Sequence, residues 1–302
     1  MSYNVSGLTN YVETNKNVLI KDAVLGSDEK NFTLPIVRHQ LGVKTKERLN
    51  YLEVNPILQD GSSCGFSAQG STVLSDRVVE CSILKYNDSW CWKDILGKYA
   101  EYQVNINANE EGLPFESELT DQIVKGINKE VERLIWVGDK SGTDLIDGWL
   151  TIALGADSAS TITGVTASGA SAYAAIEQAY MAIPERWIDD AVIFVSPSTF
   201  REYCNDLVAK NLFNYNGENG QLTEMFFPAS NVRIRKAKGL ENSNYIYASV
   251  PDNMVFACDM LDAKEDFKMW YNDEDELVKV KVLFNGGCAT LYPDAVVVIE
   301  RK

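Results

Sequence analysis

The sequence predicts an α+β fold, and three patterns along the chain lead to that prediction. Residues 46–88 have the composition of two long β-strands around a Gly/Ser-rich turn. Residues 115–136 carry apolar side chains at every third or fourth position, which is the spacing of an amphipathic helix. From residue 229 onward, short apolar runs separated by polar turns indicate a series of strands. The sequence thus contains both helices and strands, as in an α+β protein.

Composition and charge narrow the classes of function. The chain has 302 residues, of which 45% are hydrophobic, so it can bury a substantial core. Its formal net charge of −15 disfavours nucleic-acid binding, because affinity for phosphates depends on clustered cations. The N-terminus has no basic start, and the chain has no apolar run long enough for a membrane span. We therefore expect neither export by a signal peptide nor insertion in a membrane.

The cysteines do not form a metal-binding pattern. They lie far apart, with no C-x-x-C pair and no histidine at a zinc-ligand spacing. We expect reduced, mostly buried thiols in an intracellular protein, although an even number would also allow three disulfides. The six cysteines are Cys64, Cys81, Cys91, Cys204, Cys258 and Cys288.

Residues 1–45 mix Asn, Thr, Ser and Lys with isolated apolar residues, without a sustained period of 2 or 3.6. This pattern predicts an extended arm, with no more than a short helical turn near Lys16–Leu25. Such an arm has no core of its own, so the surface on which it lies must order it.

The long hairpin is the most informative prediction from the sequence. Its first arm is Lys46–Gln59, its turn is Asp60–Phe66, and its return arm runs from about Gly70 to Lys85. At about 3.3 Å per residue, each arm could reach roughly 40 to 50 Å. Pro56 has no backbone donor, which places the first arm at an edge or a bulge.

Both faces of the first arm carry apolar side chains. Leu49 and Tyr51 point to one face, and Leu52 and Val54 point to the other. An isolated two-stranded ribbon is marginal in water, so both faces need a partner. Another copy of the chain is the preferred partner, and a hairpin folded back on its own domain is the alternative.

Two helices are predicted after the hairpin. The segment from Trp90 to Val104 has helical spacing over three to four turns. The longer helix, Phe115–Trp136, begins after Gly112-Leu-Pro114 and ends at Gly138-Asp139. Its apolar stripe is interpreted as a core face, and the stripe consists of Leu119, Ile123, Ile127, Val131 and Leu134.

The next part reads as a compact α/β unit. We predict a strand at Asp147–Ile152, a loop over residues 155–171, a helix at Ala172–Ile183 and a buried strand at Asp189–Val195. A turn then leads into a helix that ends near Lys210. The strands that follow are predicted at Val232–Lys236, Tyr245–Val250, Met254–Cys258, Phe267–Tyr271, Leu277–Phe284 and Val296–Ile299.

The sequence contains no convincing catalytic or ligand-binding motif. His39 is the single histidine and is interpreted as an ordinary polar residue of the arm. Gly164–Gly169 has the glycine spacing of a phosphate loop, but Ala170 stands where the lysine is needed. The acidic run Asp273–Glu276 is interpreted as an exposed hairpin turn rather than a calcium loop. We expect no cofactor, no metal and no catalytic residue, and a hydrolase with a site at Ser196 remains an alternative.

Four short strings carry a resemblance to a known family. They are Trp136–Asp139 after the long helix, Ile146–Leu150, Val192–Phe200, and Leu291–Val296 near the end of the chain. Their order and spacing extend over nearly the whole chain. Together with the order of elements, they make the sequence resemble the major capsid proteins of tailed phages, which have the Hong Kong 97 fold.

The resemblance implies a domain organisation. Residues 1–45 would be the N-terminal arm, and residues 46–88 would be an extended loop that reaches over a neighbouring subunit. Residues 89–145 and 229–302 would form a peripheral domain with a long spine helix. Residues 146–228 would form an α/β axial domain around the axes of hexamers and pentamers. The loop residues expected to contact a neighbour are Tyr51, Leu52, Val54, Pro56, Ile57, Gly61, Cys64 and Phe66.

The resemblance also implies partners and a location. The protein would assemble in the host bacterial cytoplasm and end in the virion capsid, enclosing phage double-stranded DNA without binding it specifically. Some relatives crosslink through a lysine on the extended loop, but no lysine lies between Lys46 and Lys85, so we expect a noncovalent contact. A separate scaffold protein, a portal and decoration proteins are implied partners. An encapsulin-like bacterial compartment is the nearest alternative.

Overall fold

The computed structural model describes residues 6–25, 32–60, 69–91, 115–155, 165–167, 171–212, 224–259 and 267–301. Within these ranges, two sheets and a separate two-stranded hairpin are combined with helices. The helices are α1 (Ser6–Leu25), α2 (Phe115–Val137), α3 (Trp149–Leu154), α4 (Ala172–Ala182) and α5 (Pro197–Ala209). The strands are β1 (Arg38–Leu41), β2 (Lys46–Asn55), β3 (Ser71–Glu80), β4 (Ser82–Cys91), β5 (Val165–Ala167), β6 (Val192–Val195), β7 (Glu224–Phe226), β8 (Arg233–Lys236), β9 (Tyr245–Ser249), β10 (Met254–Asp259), β11 (Phe267–Asn272), β12 (Leu277–Thr290) and β13 (Val297–Arg301).

The first sheet is built around the long strand β12. One edge of β12 pairs with β4, and the other edge pairs first with β11 and then with β10, all antiparallel. Strand β1 of the arm adds to β10 in parallel. Side chains of β12 alternate between buried and half-buried positions, because one side of the sheet packs on the core while the other does not. The predicted strands at Met254, Phe267 and Leu277 are confirmed in this sheet.

The second sheet has the strand order β5-β13-β9-β6-β8-β7. Its strand β6 is buried along its whole length, as its continuous apolar sequence predicted. Helices α4 and α5 pack on this sheet through one buried cluster, and both helices agree with the sequence prediction. This sheet crosses the predicted boundary at residue 228, because β8, β9 and β13 follow that residue in sequence yet pair in the same sheet as β6.

Trp136, near the end of α2, is fully buried at the centre of the core. Its ring lies 5.5 Å from Trp149, 5.1 Å from Phe194 and 5.3 Å from Tyr247, measured between ring centroids. Phe194 and Tyr247 belong to the second sheet, whereas α2 also packs with residues of the first sheet in the same cluster. This aromatic group therefore joins the two sheets through the end of α2.

The prediction of an extended arm is wrong for residues 6–25, which form the helix α1. The buried side chains of α1 recur at helical spacing, and they are Val12, Leu19, Ile20, Ala23 and Val24. Polar residues with low helix propensity separate them, which obscured the period in the sequence. Contacts with α2 and β11 supply the stability that the local sequence lacks.

A buried carboxylate fastens the arm to α2. Glu132 accepts hydrogen bonds from the backbone N–H of Thr33 at 3.1 Å, from the Thr33 hydroxyl at 2.6 Å and from Trp136 Nε1 at 3.2 Å. Arg235 of β8 donates to the backbone oxygen of Phe32 at 3.1 Å. Burial raises the pKa of Glu132, and the bonds from Thr33 and Trp136 and the charge of Arg235 act in the opposite direction.

The structure differs from three further predictions of secondary structure. The segment predicted as a strand at Asp147–Ile152 contains the start of α3, because Trp149, Leu150 and Ala153 reach the core only in a helical turn. The predicted loop over residues 155–171 includes the short strand β5. Trp90 and Cys91, predicted to begin a helix, are the last residues of β4, and the rest of that predicted helix lies outside the described residues.

Candidate functional site: the β2–β3 hairpin

The predicted hairpin is present, but its return arm is shorter than expected. Strands β2 and β3 pair in antiparallel register from Lys46 opposite Glu80 to Asn55 opposite Ser71. The return arm was predicted to continue to Lys85, yet it breaks at Cys81, and β4 then joins the first sheet. The break occurs where Gly287 of β12 allows close approach, since a Cβ there would lie 2.2 Å from the backbone oxygen of Glu80.

The inner side of the hairpin is anchored at its base by a small apolar cluster. Leu49 of β2 and Val79 of β3 are buried there. They pack with residues of the first sheet and its neighbouring segments, namely Val43, Val255, Ala257, Ala289 and Leu291. The alternative of a hairpin lying on its own domain is therefore correct for this side and this end.

Farther along the inner side, a group of polar and aromatic contacts holds β2. Tyr51 packs edge-to-face on Tyr292 with 4.9 Å between ring centroids. Tyr292 in turn lies 5.2 Å from Trp187, and the guanidinium of Arg186 lies 4.5 Å from the ring centroid of Trp187. Arg186 also donates to Glu53 at 2.6 Å. These contacts connect the hairpin to the segment that precedes β6.

The outward side of the hairpin carries exposed apolar side chains on both strands, next to the Arg48–Asp76 ion pair. Leu52 and Leu74 lie directly opposite each other in the register, so their side chains share one face. Their exposed fractions are 55% and 72%, and Val54 and Val78 on the same face are 54% and 48% exposed. A cross-strand apolar pair with this exposure is unusual on an isolated ribbon. No described residue of the chain covers it.

Charged groups fix the base of the hairpin. Glu80 pairs with Lys46 on the opposite strand and with Lys140 after α2, the latter at 3.5 Å. The hydrogen bond from Lys46 is the main cause that lowers the pKa of the Glu80 carboxyl. Next to it, burial raises the pKa of the Cys81 thiol to about 11, so this cysteine stays protonated near neutral pH. A cavity of about 420 Å³ lies between this base, the residues after α2 and β12.

The residues predicted to contact a neighbour do not all lie on the same side of the hairpin. Leu52 and Val54 lie on the outward side, and Pro56 and Ile57 follow the end of β2 and are exposed. Tyr51 lies on the inner side and contacts the chain's own Tyr292. Gly61, Cys64 and Phe66 lie outside the described residues.

Sequence reasoning missed the residues of the return strand. Leu74 and Val78 complete the outward face, yet the prediction included only residues from the first arm and the turn. Leu74 and Val78 lie at alternate positions of a strand whose length matches the first arm. Pairing the two arms residue by residue would have found them.

The residues considered for catalysis have structural roles. Ser196 is buried and caps α5, accepting from Thr199 N at 3.2 Å and bonding to the hydroxyls of Ser198 and Thr199 at 2.9 Å each. His39 lies in β1 opposite Phe256, where burial lowers its pKa. The described residues contain no group of three His, Cys, Asp or Glu side chains able to hold a metal ion. None of the described helices has both the length and the apolar character to cross a membrane.

Comparisons with known proteins complete the description of the fold. No protein-family model matches the sequence, and no curated protein matches it. Solved structures do match, although their sequences are only distantly similar. A chain of the satellite phage P4 procapsid with its size determination protein gives a TM-score of 0.62 at 12% identity, covering 100% of this chain and 92% of that chain.

Two other solved structures are similar to the chain to about the same degree. The capsid of the native GTA particle gives a TM-score of 0.59 at 11% identity over 91% of each chain. A structure from Microbacterium phage Oxtober96 gives 0.57 at 13% identity, covering 90% of this chain and 91% of that chain. Each match covers at least nine tenths of the chain. The chain therefore has the Hong Kong 97 fold of tailed-phage capsid proteins.

Proposed function

We propose that this chain is a major capsid protein that assembles with many copies of itself into an icosahedral shell around phage double-stranded DNA. The proposal rests mainly on the exposed apolar side chains of the outward face of the β2–β3 hairpin, on a fold similar to that of capsid structures. Fully burying a leucine side chain contributes about 1.5–3 kcal/mol. A few such side chains per contact, repeated over a closed lattice, give a stable container from individually weak contacts.

The hairpin is suited to joining two copies because its two sides have different partners. The inner side is fixed to its own chain by Leu49, Val79 and the Arg186–Glu53 pair. That anchoring sets the direction of the ribbon before any second copy arrives, which reduces the entropy lost on association. The outward side, with Leu52 and Leu74, is left for a neighbouring copy in a hexamer or pentamer.

We also assign the two sheets and their helices to the two domains of a capsid subunit. The first sheet with α1 and α2 would form the peripheral domain, and the second sheet with α4 and α5 would surround the symmetry axes. The proposed assembly takes place in the host bacterial cytoplasm, with a separate scaffold protein, a portal and decoration proteins as further partners. The net charge of −15 supports a shell that encloses DNA without binding it tightly.

Electron microscopy and light scattering of the purified chain test assembly itself. Closed particles of uniform size are expected. A chain that stays monomeric over a wide range of concentration and salt, with or without coexpressed phage proteins, would contradict the proposal. The contents distinguish the alternatives, since nuclease-protected DNA supports a phage shell and a copurifying enzyme supports an encapsulin-like compartment.

The double variant Leu52→Asp/Leu74→Lys tests the role of the outward face, and its opposite charges avoid repulsion between the paired strands. We expect it to prevent particle formation while leaving the melting temperature close to that of the wild type, because both side chains are exposed in the subunit. The matched control is Val18→Asp/Leu41→Lys, which introduces the same two charges at exposed positions of α1 and β1. Particles formed by the hairpin variant but not by the control would assign assembly to another surface.

Deleting residues 55–72 tests the same surface more severely. Leu49, Tyr51, Glu53 and Val79, which anchor the inner side, all lie outside the deleted segment. The shortened chain should therefore fold but fail to assemble. An unfolded product would show that the end of the hairpin belongs to the chain's own core.

A further inference from the structure

The side of the first sheet that faces away from α1 and α2 carries an unusual set of charges. Lys268 of β11, Lys279 and Lys281 of β12, and Lys85 of β4 all point to this side, as the registers of the three strands require. In the same strands, the alternate residues Phe267, Met269, Val278, Val280 and Val282 are buried on the other side. We refer to the four lysines and their surroundings as the lysine face.

The lysine face has almost no negative charge of its own. Within the described strands β4, β11 and β12, no carboxylate lies on this side, since Asp88 of β4 pairs in register with the buried Val280. Asp259 lies on the same side at the border with β10, opposite Asn285. Among the described residues, no carboxylate forms an ion pair with Lys85, Lys268 or Lys281. In a chain of net charge −15, this concentration of unpaired cations is unexpected.

Two of these lysines are arranged at a cost to the folded subunit. Lys268 and Lys281 lie directly opposite each other in the β11–β12 register. Like charges directly opposite across antiparallel strands destabilise the pair. Two apolar side chains border these lysines on the same side of the sheet. They are Ile83, which is 68% exposed, and Trp270, which is 39% exposed. A cationic face with an apolar border fits an acidic protein surface that also buries some apolar area.

The turn that joins β11 and β12 has the complementary charge. Asp273, Glu274, Asp275 and Glu276 are all exposed. Asp275 pairs with Lys279 of its own chain, but the other three form no ion pair with a described lysine or arginine. The turn cannot fold back onto the far lysines, since Glu276 and Lys281 are five residues apart on an extended strand, about 16 Å. A second copy has no such restriction.

We propose that the acidic turn Asp273–Glu276 of one copy docks on the lysine face of a neighbouring copy. The contact deepens the proposed function, on which it rests, by naming a second self-contact that is separate from the outward face of the hairpin. It requires no other molecule, because the chain carries both halves. Exposed charges of this kind act over a Debye length of about 8 Å at physiological salt, so added salt weakens the contact.

Charge-reversal variants test the contact. Lys268→Glu/Lys281→Glu and Asp273→Lys/Glu276→Lys should each raise the chain concentration needed for half-maximal assembly at least tenfold. The quadruple variant, which keeps the net charge of −15, should assemble near the wild-type concentration, and so should a mixture of the two double variants. Lys125→Glu/Lys129→Glu is the control, with the same charge change at exposed positions of α2.

A stability measurement separates the contact from an effect on folding. Lys281→Glu alone replaces a repulsive cross-strand pair with an attractive one, so the unassembled chain should melt at the same or a higher temperature while assembling less well. Assembly and melting temperature that fall together would overturn the proposal.

Two other results would also overturn it. The first is wild-type assembly by both double variants. The second is a loss of short-duplex DNA binding in Lys268→Glu/Lys281→Glu without rescue of assembly in the quadruple variant, which would assign the face to nucleic acid. If the wild-type chain forms no shell, the proposed function fails, and sedimentation of the same variants still measures the contact between copies.

Discussion

The aromatic group around Trp136 and the outward side of the hairpin use the same kind of residue for opposite purposes. Trp136 is enclosed by Trp149, Phe194 and Tyr247, so its burial contributes to the stability of the single chain. Leu52 and Leu74 are equally apolar, but they lie opposite each other on the hairpin and are largely exposed. The difference shows that an apolar residue serves folding or assembly according to what faces it, and that substitutions in the two regions should have separable effects.

Trp136→Ala should have the largest effect on the folding side of this comparison. Removal of a fully buried aromatic side chain costs about 3–5 kcal/mol of unfolding free energy. Urea denaturation followed by circular dichroism measures the loss, and Trp136→Phe, which keeps a ring in the group, should lose less. A loss below about 1 kcal/mol for the alanine variant would show that this group does not hold the two sheets together.

Leu49→Ala and Leu52→Ala compare the two sides of a single strand. Leu49 is buried at the hairpin base, so its truncation should cost about 2–5 kcal/mol, whereas the exposed Leu52 should change stability by no more than about 0.5 kcal/mol. Assembly should show the opposite order. At equal concentrations of folded chain, Leu52→Ala should impair particle formation more than Leu49→Ala does. Equal stability losses in the two variants would contradict the assignment of the two sides.

Glu132→Gln should change the pH dependence of folding. Burial raises the pKa of Glu132, so the native state holds this proton more tightly than the unfolded chain does. The contribution of the group to stability is full below the unfolded pKa and is lost as pH rises through the folded value. Unfolding free energies measured from pH 4 to 8 should therefore decline less with rising pH in the variant than in the wild type. Parallel curves would show that the carboxyl group titrates normally.

Arg186→Ala should have the smallest effect. Both members of the Arg186–Glu53 pair are partly exposed, and pairs of this kind contribute about 0.2–1 kcal/mol. A double-mutant cycle with Glu53→Ala measures the coupling directly. We also expect Arg186→Ala to weaken assembly slightly, because a less firmly held hairpin is less preorganised for contact with a second copy. A coupling energy of zero would leave Tyr51 and Tyr292 as the main contact on this part of the inner side.

Local sequence predicted the elements whose residues have one dominant periodicity. The helix α2 and the strand β6 were found within a few residues, because a long apolar stripe and a continuous apolar run have few alternative conformations. The helix α1 and the helix α3 were missed. Their few apolar residues give a weak local signal, and contacts with α2, β11 and the Trp136 group stabilise the two helices.

The candidate site was predictable in the same partial way. The hairpin and the separation of Leu49 and Tyr51 from Leu52 and Val54 followed from strand length and alternation, whereas the anchoring of the Tyr51 face on the chain itself and the break at Cys81 did not. Tyr51 turns inward because Tyr292, 241 positions later in the sequence, provides an aromatic partner. A contact between residues so far apart leaves no trace in the local pattern.

The class of fold, the presence of a long hairpin and the general order of the elements could all be predicted from the amino-acid sequence. Those features depend on short-range periodicity and turn residues, which are written into neighbouring positions. Three other features became visible only in the folded chain: the anchored side of the hairpin, the strands that share the second sheet and the lysines that share a face of the first sheet. These properties depend on strand register and on contacts between distant segments, and the register is fixed only when the whole core is packed.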